Sequence, residues 1–109
     1  MTDELQERLA ANESVFREIN DGIERGQWPG EEDSPIGFRC ECARLGCNEL
    51  LELSVLEYEA VRANPRRFMV VAGHERLDAE TVVERHPEYL VVEKLDQAGE
   101  TAEENDPRS

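Results

Sequence analysis

The stretch IGFRCECARLGCNELLEL, residues 36–53, decides how this chain is read. Its first seven residues alternate. Ile36, Phe38, Cys40 and Cys42 fall on one face of an extended strand, while Gly37, Arg39 and Glu41 fall on the other. ARLGCN then reads as a turn with Gly46 near its tip, and ELLEL returns as a second strand with Leu51 and Leu53 on one face. The pattern predicts a β-hairpin that carries Cys40, Cys42 and Cys47 at its tip.

These are the three cysteines of a 109-residue chain. An odd number cannot all be consumed by internal disulfides. The start, MTDELQERLAANE, is charged from residue 3 and lacks the apolar segment of a secretion signal, so a cytoplasmic protein is expected. In that reducing compartment, clustered cysteines are more often metal ligands or redox groups than structural disulfides. Structural zinc takes four ligands, usually Cys and His, in a tetrahedron. C-x-C on a strand sets two sulfurs on one face, and the turn is long enough to bring Cys47 back over them.

The fourth ligand has to come from elsewhere, and the chain has two histidines. His74 follows an apolar strand and Gly73, which lets the backbone turn sharply. His86 precedes Pro87 at the end of an expected helix, where an imidazole can face the terminal carbonyls instead. His74 is therefore the preferred ligand. Glu75 is a further candidate, as an oxygen ligand or as an acceptor for an imidazole N–H. Glu41 should face away from the metal. The expectation is one Zn²⁺ per chain, held by Cys40, Cys42, Cys47 and His74. C-x-C-x₄-C lacks the paired C-x₂-C knuckles of a zinc ribbon, so two other readings stand beside it. The cysteines could form a reversible thiol/disulfide switch, or could be small buried residues that happen to cluster.

Outward from the hairpin, residues 1–26 read as one long amphipathic helix. Leu5, Leu9, Asn12, Phe16, Ile19 and Ile23 follow one another at spacings of 4 and 3, with no Gly or Pro before Gly22. Such a stripe packs on its own domain or forms a seam with another chain, a protein partner or a second copy. SVLE at 54–57 has the spacing of a capping box and opens a short helix that stops at Asn64–Pro65. RFMVVAGHE gives a short strand over 68–72 that ends at Gly73 and His74. LDAETVVERHP reads as a second short helix with Asp78 as its N-cap. YLVVEKL, 89–95, is another strand. Residues 96–109 have no apolar content beyond alanine and are expected to be a disordered acidic tail. The fold expected is α+β in one small domain, residues 1–95. It comprises the N-terminal helix, the cysteine hairpin, a small and mostly antiparallel sheet within an α+β core at 36–95, and two further short helices.

The net charge is −14, so nucleic acid and an anionic membrane surface are unlikely direct partners. Arg62, Arg66 and Arg67 form the one basic stretch, read as a solvated loop. There is no nucleophile motif and no Gly-rich phosphate loop, and His74–Glu75 lacks the second histidine of H-E-x-x-H.

The pattern F-x-C-E-C-x₄-C, followed by EYEAVRANPRRFMVVAGHE, YLVVEK and a terminal DPR, resembles an uncharacterised family of short, acidic bacterial proteins common in high-GC genomes. The resemblance runs from the AANE of the first helix to DPR. Its three cysteines and Gly-His fall on Cys40, Cys42, Cys47 and His74, and it implies no activity. The reading taken from the residues is a non-catalytic cytoplasmic zinc module with a protein-interaction or regulatory role. A thiol-based redox or metal sensor is the alternative, and a small enzyme with a reactive cysteine beside His74 is the third.

Overall fold

The computed structural model describes residues 2–26, 33–42 and 47–106, and of residues 2–12 the backbone. In chain order the elements are α1 (Thr2–Arg25), β1 (Ile36–Arg39), β2 (Leu50–Leu53), α2 (Val55–Arg62), β3 (Arg67–Val70), β4 (Glu80–Arg85), β5 (Leu90–Lys94) and α3 (Asp96–Glu104). The fold is α+β. Its β structure is divided into two antiparallel sheets, the hairpin β1–β2 and a three-stranded sheet in the order β3-β5-β4.

The hairpin alternates as its sequence does. Ile36 stands opposite Leu53 and Phe38 opposite Leu51. Phe38, Leu51 and Leu53 are buried together with Tyr58, Val61, Met69, Tyr89 and Val91. Phe38 stacks on Tyr58 with ring centroids 4.4 Å apart, worth about 0.5–1.5 kcal/mol beyond the area buried. The Ser54–Glu57 capping box is formed in both directions: Glu57 N–H donates to Ser54 Oγ (3.1 Å) and Ser54 N–H to Glu57 Oε1 (2.9 Å). It fixes the start of α2 directly after β2.

Residues 78–86 are not the helix that their pattern suggested. Glu80–Arg85 is strand β4, and Asp78 caps nothing there. Thr81, Val82 and Val83 are β-branched and favour an extended chain, and β5 supplies the ladder that a local reading cannot see. A bulge lies between Val82 and Glu84. Glu80 pairs with Lys94 across the ladder, both residues buried.

The acidic tail is also ordered where described. Asp96–Glu104 forms α3, and residues 105 and 106 continue onto the body of the protein. Polar anchors replace the apolar ones that are missing. Arg66 bonds Glu103 (Nε to Oε1, 2.7 Å), Ser14 Oγ donates to Asn105 O (2.7 Å), and Arg62 bonds Asp106 (Nη2 to Oδ1, 2.7 Å). Gly99 permits the close approach, since a Cβ there would stand 3.0 Å from the Lys94 carbonyl oxygen. The three arginines expected in a solvated loop are thus engaged by the chain's own acids: Arg62 by Asp21 and Asp106, Arg66 by Glu103, and Arg67 by Glu93.

The largest surprise is α1. Glu13, Arg17, Asn20 and Asp21 are the buried face of its described part, while Val15 is 51% exposed and Ile19 40%. Ile23 packs against the core, and Phe16 is half-buried. Leu5, Leu9 and Asn12, the rest of the expected stripe, lie outside the described side chains. Glu13, Arg17 and Asn20 recur at spacings of 4 and 3 just as the apolar residues do, one step round the helix. The helix docks through them because its partners are polar. Arg17 donates to the Pro65 carbonyl (2.8 Å) and to that of Arg67, and lies over the Phe68 ring at 3.7 Å. Asp21 accepts from both Tyr58 and Arg62, and Glu13 pairs with Lys94.

This arrangement separates two substitutions that the sequence alone would rank the other way. Ile19→Asp should change unfolding free energy by no more than about 0.5 kcal/mol, as for other surface sites. Asp106→Ala, in the supposed tail, should cost about 1–3 kcal/mol, because a buried charge-assisted bond to Arg62 is lost. Urea denaturation of the two variants checks both.

Candidate metal centre

The β1–β2 ladder ends at Arg39, but the chain does not leave the sheets there. Cys40 N–H donates to the Glu49 carbonyl (3.0 Å), one more step along the hairpin. Glu41 then changes partner. Its N–H donates to Met69 O (2.8 Å), while Met69 N–H donates to Glu41 Oε1 (3.2 Å). Residues 40 and 41 therefore join the hairpin to β3 of the other sheet, and they bring Cys40 and Cys42 beside the chain that leaves β3.

That chain turns at once. His74 N–H donates to Val71 O (2.9 Å), closing a turn with Gly73 at φ +97°. This is the position of a type II turn that requires a left-handed residue, which explains the glycine. Glu75 Oε1 accepts from Gly73 N–H (2.6 Å) and braces the turn. The result is to aim His74 back at the hairpin. Its Nδ1 lies 3.6 Å from Cys40 Sγ, 3.4 Å from Cys42 Sγ and 3.6 Å from Cys47 Sγ. The four ligand atoms lie within 4.8 Å of one another.

Cys40, Cys42, Cys47 and His74, which the sequence grouped, are thus brought together, in an arrangement compatible with a metal site. His86 is elsewhere. It follows β4, stacks on Tyr89 at 4.3 Å and sets Nε2 2.8 Å from Glu84 Oε1. Glu75 is in the turn rather than in the cluster. Glu41 faces away, as alternation predicted.

Several contacts of the surrounding groups could not be read from the sequence. Val71 N–H donates to Cys40 Sγ (3.2 Å), as donors around a metal-bound sulfur commonly do. Arg39 donates from Nη2 to the Cys47 carbonyl (3.1 Å), and its guanidinium lies 5.2 Å from the Phe16 ring centroid. Glu41 is fully buried. Burial raises its carboxyl pKa, and the Arg17 charge with the hydrogen bonds from Asn20 and Met69 opposes that rise. Only the alternation of C-E-C hinted at Glu41, by sending it to the face opposite the thiols. That this face is also covered depends on α1, which is far away in sequence.

The sulfurs sit in a dry place. Cys40 and Cys42 are buried and Cys47 is half-buried, all three as free thiols. Burial pushes the Cys40 thiol up to about 12, and neighbouring Cys42 adds to the rise, while hydrogen bonds from the Val71 and Cys42 backbone oppose it. A buried thiolate needs a cation beside it, and a metal ion bound by deprotonated sulfur supplies one.

Compared with protein-family models, with curated proteins and with solved structures, the chain matches none.

The two histidines now separate cleanly. His74→Ala should lose bound metal to a competing chelator at more than about a hundredfold lower chelator concentration than the parent, exceeding the effect usual for groups behind a ligand. His86→Ala should track the parent. A chromophoric chelator titration of metal-loaded protein reads both, and the reverse ranking would remove His74 from the site.

Proposed function

We propose that this protein is a small zinc-stabilised module of the cytoplasm, with one structural Cys₃His site and no catalytic role of its own. The observation that carries the reading is the set of three sulfur-to-nitrogen distances, 3.4–3.6 Å. Tetrahedral zinc, with Zn–S of about 2.3 Å and Zn–N of 2.0–2.1 Å, requires sulfur and nitrogen to stand about 3.5–3.6 Å apart. Its sulfur–sulfur edges would be about 3.8 Å, so a cluster contained within 4.8 Å needs little closure. Soft thiolates favour zinc over the hard cations.

Cys40, Cys42, Cys47 and His74 would hold the ion. Zinc supplies no redox chemistry, and four protein ligands leave no position for water or substrate, so the chemistry is structural. Three thiolates and a neutral imidazole on Zn²⁺ give a site charge of −1, and Arg39 is placed beside it at the Cys47 carbonyl. Among the described residues, no helix is long and apolar enough to cross a membrane. The outward face of α1, with Val15 and Ile19 exposed, is the surface proposed for a protein partner or a second copy.

One observation favours a second reading. Cys47 is less buried than the other two thiols, so an oxidant would meet it first and could eject the metal, as in a thiol-based sensor. Elemental analysis of untagged protein should find about one zinc per chain, and chelation should lower its melting temperature. Folded metal-free protein with three titratable thiols would end the zinc reading. Zinc retained under mild peroxide supports the structural role, and prompt release supports the sensor.

A further inference from the structure

Glu41, the single residue between Cys40 and Cys42, does more than space them. We propose that Asn20 and Glu41 are positioning residues for the metal site, so that metal binding and the docking of α1 are a single linked equilibrium. The inference rests on the metal reading above and concerns its regulation.

Asn20 is fully buried and sits on the helix opposite the hairpin. Its Oδ1 accepts from Arg39 N–H (2.7 Å), and its Nδ2 donates to both the Arg39 carbonyl (3.0 Å) and Glu41 Oε2 (2.9 Å). One side chain thereby continues the hairpin ladder from α1 and clamps the two residues on either side of Cys40. Glu41 in turn holds β3 through Met69 N–H. A second contact runs beside it, from Phe16 through the Arg39 guanidinium to the Cys47 carbonyl. Cys40 and Cys42 cannot be drawn onto an ion without fixing Glu41 between them. A fixed Glu41 presents its carboxylate to Asn20. Conversely, if α1 lifts away, Glu41 and the Arg39 backbone lose the Asn20 bonds that orient them on either side of Cys40, and the loss falls on the geometry of the ligands. Linkage is reciprocal, so metal must tighten α1 by the same factor by which docked α1 tightens metal.

The directions of these bonds provide the test. Asn20 is oriented by the Arg39 backbone, so it can only offer its amide N–H₂ to Glu41. Asn20→Asp sets two acceptors face to face, and Glu41→Gln sets two donors face to face. The double variant restores one bond with donor and acceptor exchanged. Affinity for zinc would be measured by chelator competition, with zinc content determined in the same samples and Co²⁺ spectra recording the ligand field. Each single variant should bind zinc at least about tenfold more weakly, and the double should bind more tightly than Asn20→Asp, the variant whose facing acceptors it relieves. Ser54→Ala, which removes the α2 cap away from the site, should lower stability yet keep the parental affinity. In the parent chain, hydrogen exchange of the α1 amides should slow when zinc is added.

Single variants with parental affinity, a double no better than Asn20→Asp, or α1 exchange indifferent to bound zinc would each overturn the linkage while leaving the metal site standing. A parent chain that takes up no zinc would overturn both. Should a single variant fail to fold, the exchange measurement on the parent decides alone.

Discussion

Residues 40–42 must satisfy two sheets and one cluster at once, and much of the architecture follows from that. Cys40 extends the hairpin through its N–H, Glu41 joins β3 through its own, and the two thiols point to the side where the β3 chain turns back. Were Cys40 and Cys42 one residue out of register, their sulfurs would face α1 and Glu41 would face His74. The turn at Val71–His74 has no freedom either, because Gly73 holds its left-handed corner. Beyond the core they share, the two antiparallel sheets are therefore tied by the backbone of residues 40 and 41 and by four side chains that converge there.

What the sequence made legible is what obeys a local period. The cysteine hairpin has its register in its alternation, the capping box in four letters, and the strands around Met69 and Val92 in short apolar runs. His74 was preferred for its place after a strand and a glycine, and the turn it occupies is of that kind. The failures share a cause. Thr81–Val83 could be helix or strand by local pattern, and its partner β5 decided. The tail at 96–106 has no apolar residue beyond alanine and leucine-free helices look disordered, yet Arg62 and Arg66 lie elsewhere in the chain, waiting for its acids. On α1 an apolar and a polar stripe run side by side with the same spacing. Hydrophobicity selects Ile19, whereas the fold buries Arg17, because Phe68 and the carbonyls of Pro65 and Arg67 complement a guanidinium.

That choice explains how a chain of net charge −14 holds its few cations. Arg17, Arg62 and Lys94 are all buried, and each is matched from inside: Arg62 by Asp21 and Asp106, Lys94 by Glu13 and Glu80, Arg17 by carbonyls and an aromatic face. Among the described residues the acids buried with them, Glu13, Asp21, Glu41 and Glu80, at least match those bases, so burying the cations does not add to the negative charge of the surface. Buried ion pairs add little net stability against apolar replacements, because desolvation offsets their attraction. Their use here is directional. A guanidinium bonded to two carboxylates accepts one docking of α1 and α3, where a greasy face would accept several.

Direction without much net stability leaves the fold in need of another source, and the hydrophobic core is modest. Aromatic residues are 6% of the chain, and the cluster around Phe38 and Tyr58 contains eight buried side chains among the described residues. The second cluster, around Phe68, Val70, Leu90 and Val92, has Cys40 and Cys42 as members. The thiols are thus part of the packed interior and part of the proposed ligand set at the same time. If they bind zinc, the ion is a cross-link set into the core, joining the hairpin to the β3 turn, where a small domain lacks apolar area to do so. The same placement makes the site answerable to its surroundings. A cross-link made of core residues is loosened when that core is disturbed, and Asn20 of α1 reaches the core from outside both sheets through Glu41 and the Arg39 backbone.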